Sequence, residues 1–61
     1  MKRRQLLKHL EDHGCELYKE GRKHSRWWHP KLGTHATVPR HTEIKNVLAK
    51  QICKQLKIPS I

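Results

Sequence analysis

Near the C-terminus, Ile44, Val47, Leu48, Ile52 and Leu56 recur every three to four residues, a spacing that only a helix sets on one side. This helix is expected to start at about Thr42 or Asn46, since either side chain can cap it, and to end at about Lys57 before Ile58-Pro59. A second stripe, Leu6, Leu7 and Leu10, lies in the segment Lys2 to Gly14. Glycine reaches positive φ without strain, so Gly14 marks the stop of this first helix at about His13. Between the helices the apolar period shortens to two. Cys15, Leu17 and Lys19 are expected on one side of a short strand, with Glu16 and Tyr18 on the other. Glu20-Gly21-Arg22-Lys23 supplies a turn, His24 to His29 a second strand, Pro30-Lys31-Leu32-Gly33 another turn, and Thr34 to Val38 a third strand that Pro39 ends. The order is α-β-β-β-α. Two apolar helix stripes need one apolar sheet face, so the fold class is α+β. The expected architecture is a three-stranded antiparallel sheet with both helices on a single face and the other face open. Residues 1–61 are read as one domain.

The composition limits what such a domain can do. A chain of 61 residues buries only about 60% of the surface that its unfolded form exposes, so the chemistry is expected at the surface rather than in a deep cofactor pocket. Lys and Arg number 14 against 5 Asp and Glu, a formal charge of +9. A charge this lopsided does more than solubilise, because a one-signed field attracts polyanions. Nucleic acid is the leading partner, and α-β-β-β-α is the element order of double-stranded-RNA-binding domains, which read A-form shape. Apolar runs reach only two or three residues, as in Val47-Leu48-Ala49, whereas a bilayer span needs about 20. Neither helix pairs a cationic face with aromatic anchors, so a membrane surface is not an expected partner. Met1-Lys2-Arg3-Arg4 opens like a secretory leader, but polar His9, Glu11, Asp12 and His13 fall where its apolar stretch would be. Cys15 and Cys53 stand far apart with no second Cys near either. Free, packed thiols in a reducing, cytoplasmic setting are expected.

The six histidines differ in context. His9 and His13 are four apart on the first helix, where a zinc site would need two further ligands that the sequence does not fix. They read as a partly exposed helix face. His24 instead opens the second strand directly after Gly21-Arg22-Lys23, beside a flexible loop and several cations. Alternation puts His24, Arg26 and Trp28 on one face and Ser25, Trp27 and His29 on the other. If Trp27 is the core residue, His24 and Arg26 face solvent; if Trp28 is, the assignment inverts. An imidazole of near-neutral pKa can deprotonate a ribose 2′-OH or protonate a leaving 5′-oxygen, while nearby cations stabilise the charge developing on the phosphate. That chemistry requires no metal and no cofactor. Lys19, Arg22, Lys23 and Arg26 are the candidate phosphate contacts. Two other classes of function are open: a non-catalytic nucleic-acid-binding module of the same fold, and an interaction protein whose cations meet an acidic partner.

Three stretches carry a family resemblance. Met1-Lys-Arg-Arg-Gln-Leu-Leu-Lys-His-Leu-Glu-Asp-His-Gly14, Gly21-Arg-Lys-His24-Ser25 and Thr37-Val38-Pro39-Arg40-His41 together resemble the HicA-type toxins, mRNA interferases of toxin–antitoxin pairs. The resemblance spans essentially the whole chain. It implies a double-stranded-RNA-binding-like fold, RNA cleavage by a histidine at the start of the second strand, here His24, and a HicB-type antitoxin. Charge complementarity and exclusion of RNA then lead one to expect that partner over His24 and the hairpin from Lys19 to His29. The pattern departs from the family in three places, one being that the glycine that often opens the last helix is absent, with Asn46 as a capping substitute. Gly21 stands three residues before His24, where a Gly-Ser-His run is common, and Lys57 occupies a position where glycine is frequent.

Overall fold

The computed structural model describes residues 1–61. Its elements are α1 (Arg3–Asp12), β1 (Glu16–Glu20), β2 (His24–His29), β3 (Thr34–Pro39) and α2 (Asn46–Leu56). The strands form the expected three-stranded antiparallel sheet, in the order β1-β2-β3.

One sheet face is covered. Ser25 and Trp27 of β2 and Ala36 and Val38 of β3 are buried, whereas His24, Arg26, His35 and Thr37 are exposed. The covered side chains share a core with Leu6 and Leu10 of α1, with Ile44, and with Ala49, Ile52, Cys53 and Leu56 of α2. Both helices therefore lie on this face. Trp27 is the core tryptophan, at 7% exposure; Trp28 is half-buried on the opposite face. The alternative left open by the sequence is decided in favour of a solvent-facing His24 and Arg26.

Both helices end in the same hydrogen-bond pattern. At α1, the Gly14 N–H donates to the Glu11 carbonyl at 3.1 Å and the Cys15 N–H to the Leu10 carbonyl at 2.9 Å, with Gly14 at φ 88°. This glycine-closed Schellman arrangement brings buried Cys15 onto buried Leu10. At α2, the Lys57 N–H donates to Lys54 and the Ile58 N–H to Cys53, both at 3.1 Å, but here a lysine holds the left-handed conformation, φ 60° and ψ 41°. A side chain in that region costs about 1–2 kcal/mol.

Three local expectations are corrected. Val47 is 68% exposed: it occupies the first turn of α2, and the inward stripe runs instead through Ile44, Ala49, Ile52, Cys53 and Leu56. Residues 42–44 form no helical turn. They run extended beside the N-terminus, with Arg3 N–H bonded to the Thr42 carbonyl, Ile44 N–H to the Met1 carbonyl, and a bridge between Lys2 and Glu43. Thr42 is thus a backbone acceptor for α1 rather than a cap for α2, and Asn46 does not cap it either: Lys45 holds the cap position and Asn46 is the first residue inside the helix. Lastly, β1 does not alternate simply: its pairing with β2 shifts register between Leu17 and Lys19.

The two cysteines are free and buried, as expected. Burial pushes both thiols up from the usual thiol range, and at Cys15 the closeness of Cys53 adds to the shift.

The two tryptophans should differ sharply in stability measurements. Trp27→Ala removes a filled core position and should cost about 3–5 kcal/mol, whereas Trp28→Ala, losing a half-buried side chain, should cost about 1 kcal/mol. Urea unfolding followed by circular dichroism reads both. Equal losses would contradict the two-faced strand.

Candidate functional site

His24 is placed by a turn that tolerates only glycine at one position. The Gly21 N–H donates to the His24 carbonyl at 2.8 Å, and a Cβ at residue 21 would meet that same oxygen at 2.7 Å. Such contacts do not occur, so the absence of a side chain lets β1 turn tightly enough to make His24 the first residue of β2. Its imidazole projects from the open face.

Lys19 reaches that face through a bulge. Leu17 pairs with Trp27 while Lys19 pairs with Arg26, so the register shifts by one residue at Tyr18. The expected alternation, with Leu17 and Lys19 on one side, is broken there. Leu17 keeps to the Trp27 side, Tyr18 and Lys19 both lie on the open face, and Glu20, opposite Ser25, turns toward the helices. Glu20, which the sequence places in the turn, is the last residue of β1.

The result is a hollow of about 390 Å³ lined by Lys19, Gly21, His24, Arg26 and Thr37. His24 also lines a second hollow, of about 310 Å³, with Lys23, Arg40 and His41. Arg40 in turn borders a third, of about 430 Å³, with Lys2, Arg3, Arg4, Leu7 and Thr42. A cationic track therefore crosses the sheet at Arg26, passes His24, and continues over the Arg40 edge toward the start of α1. Of the residues singled out from sequence, Lys19, Arg26 and His24 meet in the first hollow and Lys23 and His24 in the second. Arg22 lines none of them. Arg40, His41 and Thr37 join the site without having been assigned to it, although the run Thr37-Val38-Pro39-Arg40-His41 was visible as a motif.

Behind His24, on the helical side, a polar network fixes both neighbouring strands. The Arg3 guanidinium donates from Nε to the Pro39 carbonyl at 2.8 Å and from Nη2 to Ser25 Oγ at 3.0 Å. The Ser25 hydroxyl donates to the Glu20 carboxylate, which also pairs with Arg40 Nη2 at 2.8 Å. Ser25 is 1% exposed, and this network satisfies it. Since Ser25 follows His24 in the chain and Pro39 stands opposite His24 in the register, the network holds the backbone that carries the imidazole. The Ser25 hydrogen bond, with Arg40 and Arg3 nearby, lowers the Glu20 carboxyl below its usual range.

His9 and His13 are occupied differently. Their rings lie 4.3 Å apart, His9 Nε2 is 2.7 Å from the Pro59 carbonyl and His13 Nδ1 is 2.9 Å from the His9 carbonyl. No third ligand-bearing side chain joins them. His9 fastens α1 to the C-terminal segment, and His13 bonds back onto the last turn of its own helix.

A model of the HicA toxin of bacterial toxin–antitoxin systems matches residues 3–58. The chain belongs to the HicA toxin family. The match begins at Arg3 and ends at Ile58, so it takes in all five elements, the Arg3–Ser25–Glu20–Arg40 network and every residue of the hollows around His24. No curated protein and no solved structure matches the chain. Membership makes it the toxin of a toxin–antitoxin pair. No helix of this HicA-family toxin is long and apolar enough to cross a membrane.

The network predicts a pH dependence with a definite sign. A carboxyl whose folded pKa is depressed adds stability that is fully present above its unfolded pKa and is lost as pH falls through the folded one. Glu20→Gln should therefore melt below wild type at neutral pH, and the gap should close as pH drops through and below the ordinary carboxylate range. Thermal melts at successive pH values read this. A gap that stays constant into acid would show that the charge on Glu20 contributes nothing.

Proposed function

We propose that this HicA-family toxin is a metal-independent endoribonuclease that cleaves mRNA in the cytoplasm, with residues 1–61 acting as one catalytic domain. The observation that carries the reading is His24: an exposed imidazole set by a tight turn at the meeting point of two cation-lined hollows. In the cleavage, a ribose 2′-oxygen attacks the adjacent phosphorus and loses its proton; the bond from phosphorus to the 5′-oxygen breaks, and that oxygen gains a proton. A cyclic phosphate and a free 5′-hydroxyl result. His24 serves as general base or acid in this exchange. Lys19 and Arg26 on one side and Lys23 and Arg40 on the other stabilise the charge that builds on the phosphate oxygens. His41, which shares the second hollow with His24, is the proton carrier for the complementary step.

The partner implied by family membership is an antitoxin, and we take it to be of the HicB type. It is proposed to cover His24 and the hairpin from Lys19 to His29 with an acidic surface, since opposite charge speeds encounter and burial excludes RNA from the same face. A non-catalytic RNA-binding module is the rival reading, and it predicts RNA recovered intact.

His24→Ala should slow cleavage of an mRNA by about 10²–10⁴-fold with affinity nearly unchanged, and wild-type cleavage should persist in EDTA. His41→Ala should flatten one limb of a bell-shaped pH–rate profile. Arg26→Ala should weaken binding and reduce the log–log salt slope by about 0.7 on single strands. Undiminished cleavage by folded His24→Ala would overturn the assignment. Complete loss of wild-type activity in EDTA, restored by a divalent ion, would overturn the metal-free mechanism. For the antitoxin, mutually exclusive binding with a non-cleavable RNA is expected; a ternary complex with RNA seated at His24 would refute occlusion.

A further inference from the structure

The open face carries a second feature that the cleavage chemistry does not use. Beyond Arg26, at the end of the sheet away from His24, three aromatic rings from three different strands meet. Tyr18 packs edge-on against Trp28 at 5.1 Å between centroids and against His35 at 4.9 Å, and Trp28 lies 5.6 Å from His35 at 34° between planes. Trp28 and His35 are directly paired in the β2–β3 register, and Tyr18 lies on the same side by simple alternation, two residues after Glu16, which pairs with Trp28. Tyr18 is 53% exposed, His35 is exposed and Trp28 half-buried. Rings held by mutual contact on a solvent-facing sheet keep their orientation, and the half-buried Trp28 leaves part of its indole free for one more planar group.

From this arrangement we infer that Tyr18, Trp28 and His35 form a subsite for one unpaired nucleobase of an RNA strand, stacked against Trp28. The inference rests on the reading of the face as an RNA surface and adds the state of the RNA: single-stranded here, not duplex. Charge complementarity favours a nucleotide over a protein segment. The hollow beside the rings is lined by Lys19 and Arg26, where a phosphate sits, while Glu16, opposite Trp28 in the register, repels phosphate from the aromatic end. Backbone at the cationic end and base at the aromatic end is the polarity of a nucleotide. The neighbours that the strand register gives the rings, Glu16, Arg26 and Thr37, are polar, which suits a nucleotide better than a hydrophobic side chain. Along β2, four residues at ~3.3 Å each put Trp28 about 13 Å from His24, so the stacked base belongs to a different nucleotide from the one whose phosphate lies at His24. A duplex keeps its bases stacked inside and has none to give.

The test uses the full chain carrying His24→Ala, so that RNA stays intact, with Trp28→Ala and Trp28→Phe added in turn and folding checked by circular dichroism. The probes are a short non-self-complementary RNA and the same RNA annealed to its complement, at one fixed salt concentration. Single-stranded RNA should quench tryptophan emission on binding. Trp28→Ala should weaken that binding by about ten-fold or more and remove most of the quenching, Trp28→Phe should retain most of the affinity, and duplex affinity should be the same with and without Trp28. Wild-type affinity for single strands in folded Trp28→Ala overturns the subsite, as does equal dependence of duplex binding on Trp28. Normal RNA binding by Trp28→Ala together with lost capture by its antitoxin also overturns it and gives the rings to the protein interface. Absence of RNA binding in every form, Trp28 present or not, refutes the RNA reading beneath it.

Discussion

Everything on the His24 side of the molecule depends on how the Arg3 guanidinium is held on the other side. Two of its nitrogens reach two strands, one at the Pro39 carbonyl and one at Ser25 Oγ. It thereby locks the first turn of α1 against the point where β2 begins and β3 ends. The planar fork of arginine allows this; the single ammonium of a lysine would offer no matching pair of directions. Ser25 passes the link to Glu20 and Glu20 to Arg40, so the turn through Gly21 is braced at both ends. A buried hydroxyl without these partners would carry its full desolvation cost, which makes the network a condition for placing Ser25 in the core at all.

The network also explains how a formal +9 is distributed. The acids are mostly committed away from the open face. Glu20 pairs with Arg40, Glu43 with Lys2 and the N-terminal amine, and Asp12 with Lys8. Exposed pairs of this kind contribute little to stability. Their effect here is to keep carboxylates from neutralising Lys19, Lys23 and Arg26, leaving a field of one sign along the hollows that His24 joins.

The helices and strands were legible because each rests on a local period, three to four residues for Leu6 to Leu10 and Ile44 to Leu56 and two for His24 to His29, but the period of β2 did not say which of Trp27 and Trp28 faces the helices. The start of β2 at His24 was legible as well, through its place after a glycine turn. Less visible was anything that needs two distant segments at once. The bulge at Tyr18 has no glycine or other marker, since it is set by the pairing of β1 with β2, and so the sides taken by Lys19 and Glu20 could not be read. Arg3 looked like one of many surface cations until Ser25 and Pro39 were brought to it. Arg40 and His41, past the end of β3, enter the site only because β3 is antiparallel to β2 and returns the chain to His24. Val47 misled for a simpler reason: its spacing fits the stripe of α2, but the adjoining positions Leu48, Ala49 and Ile52 take the inward side.

Cys15 and Cys53 give the fold a built-in clock. One closes the cap of α1 and the other sits in α2, both are buried, and burial keeps both thiols protonated and unreactive. A thiol reagent can reach them only when the core that joins the two helices to the sheet comes apart. The rate at which the folded chain is blocked by such a reagent therefore counts these openings. Two side chains remote from the open face thus report how often the toxin passes through a form in which that face no longer exists.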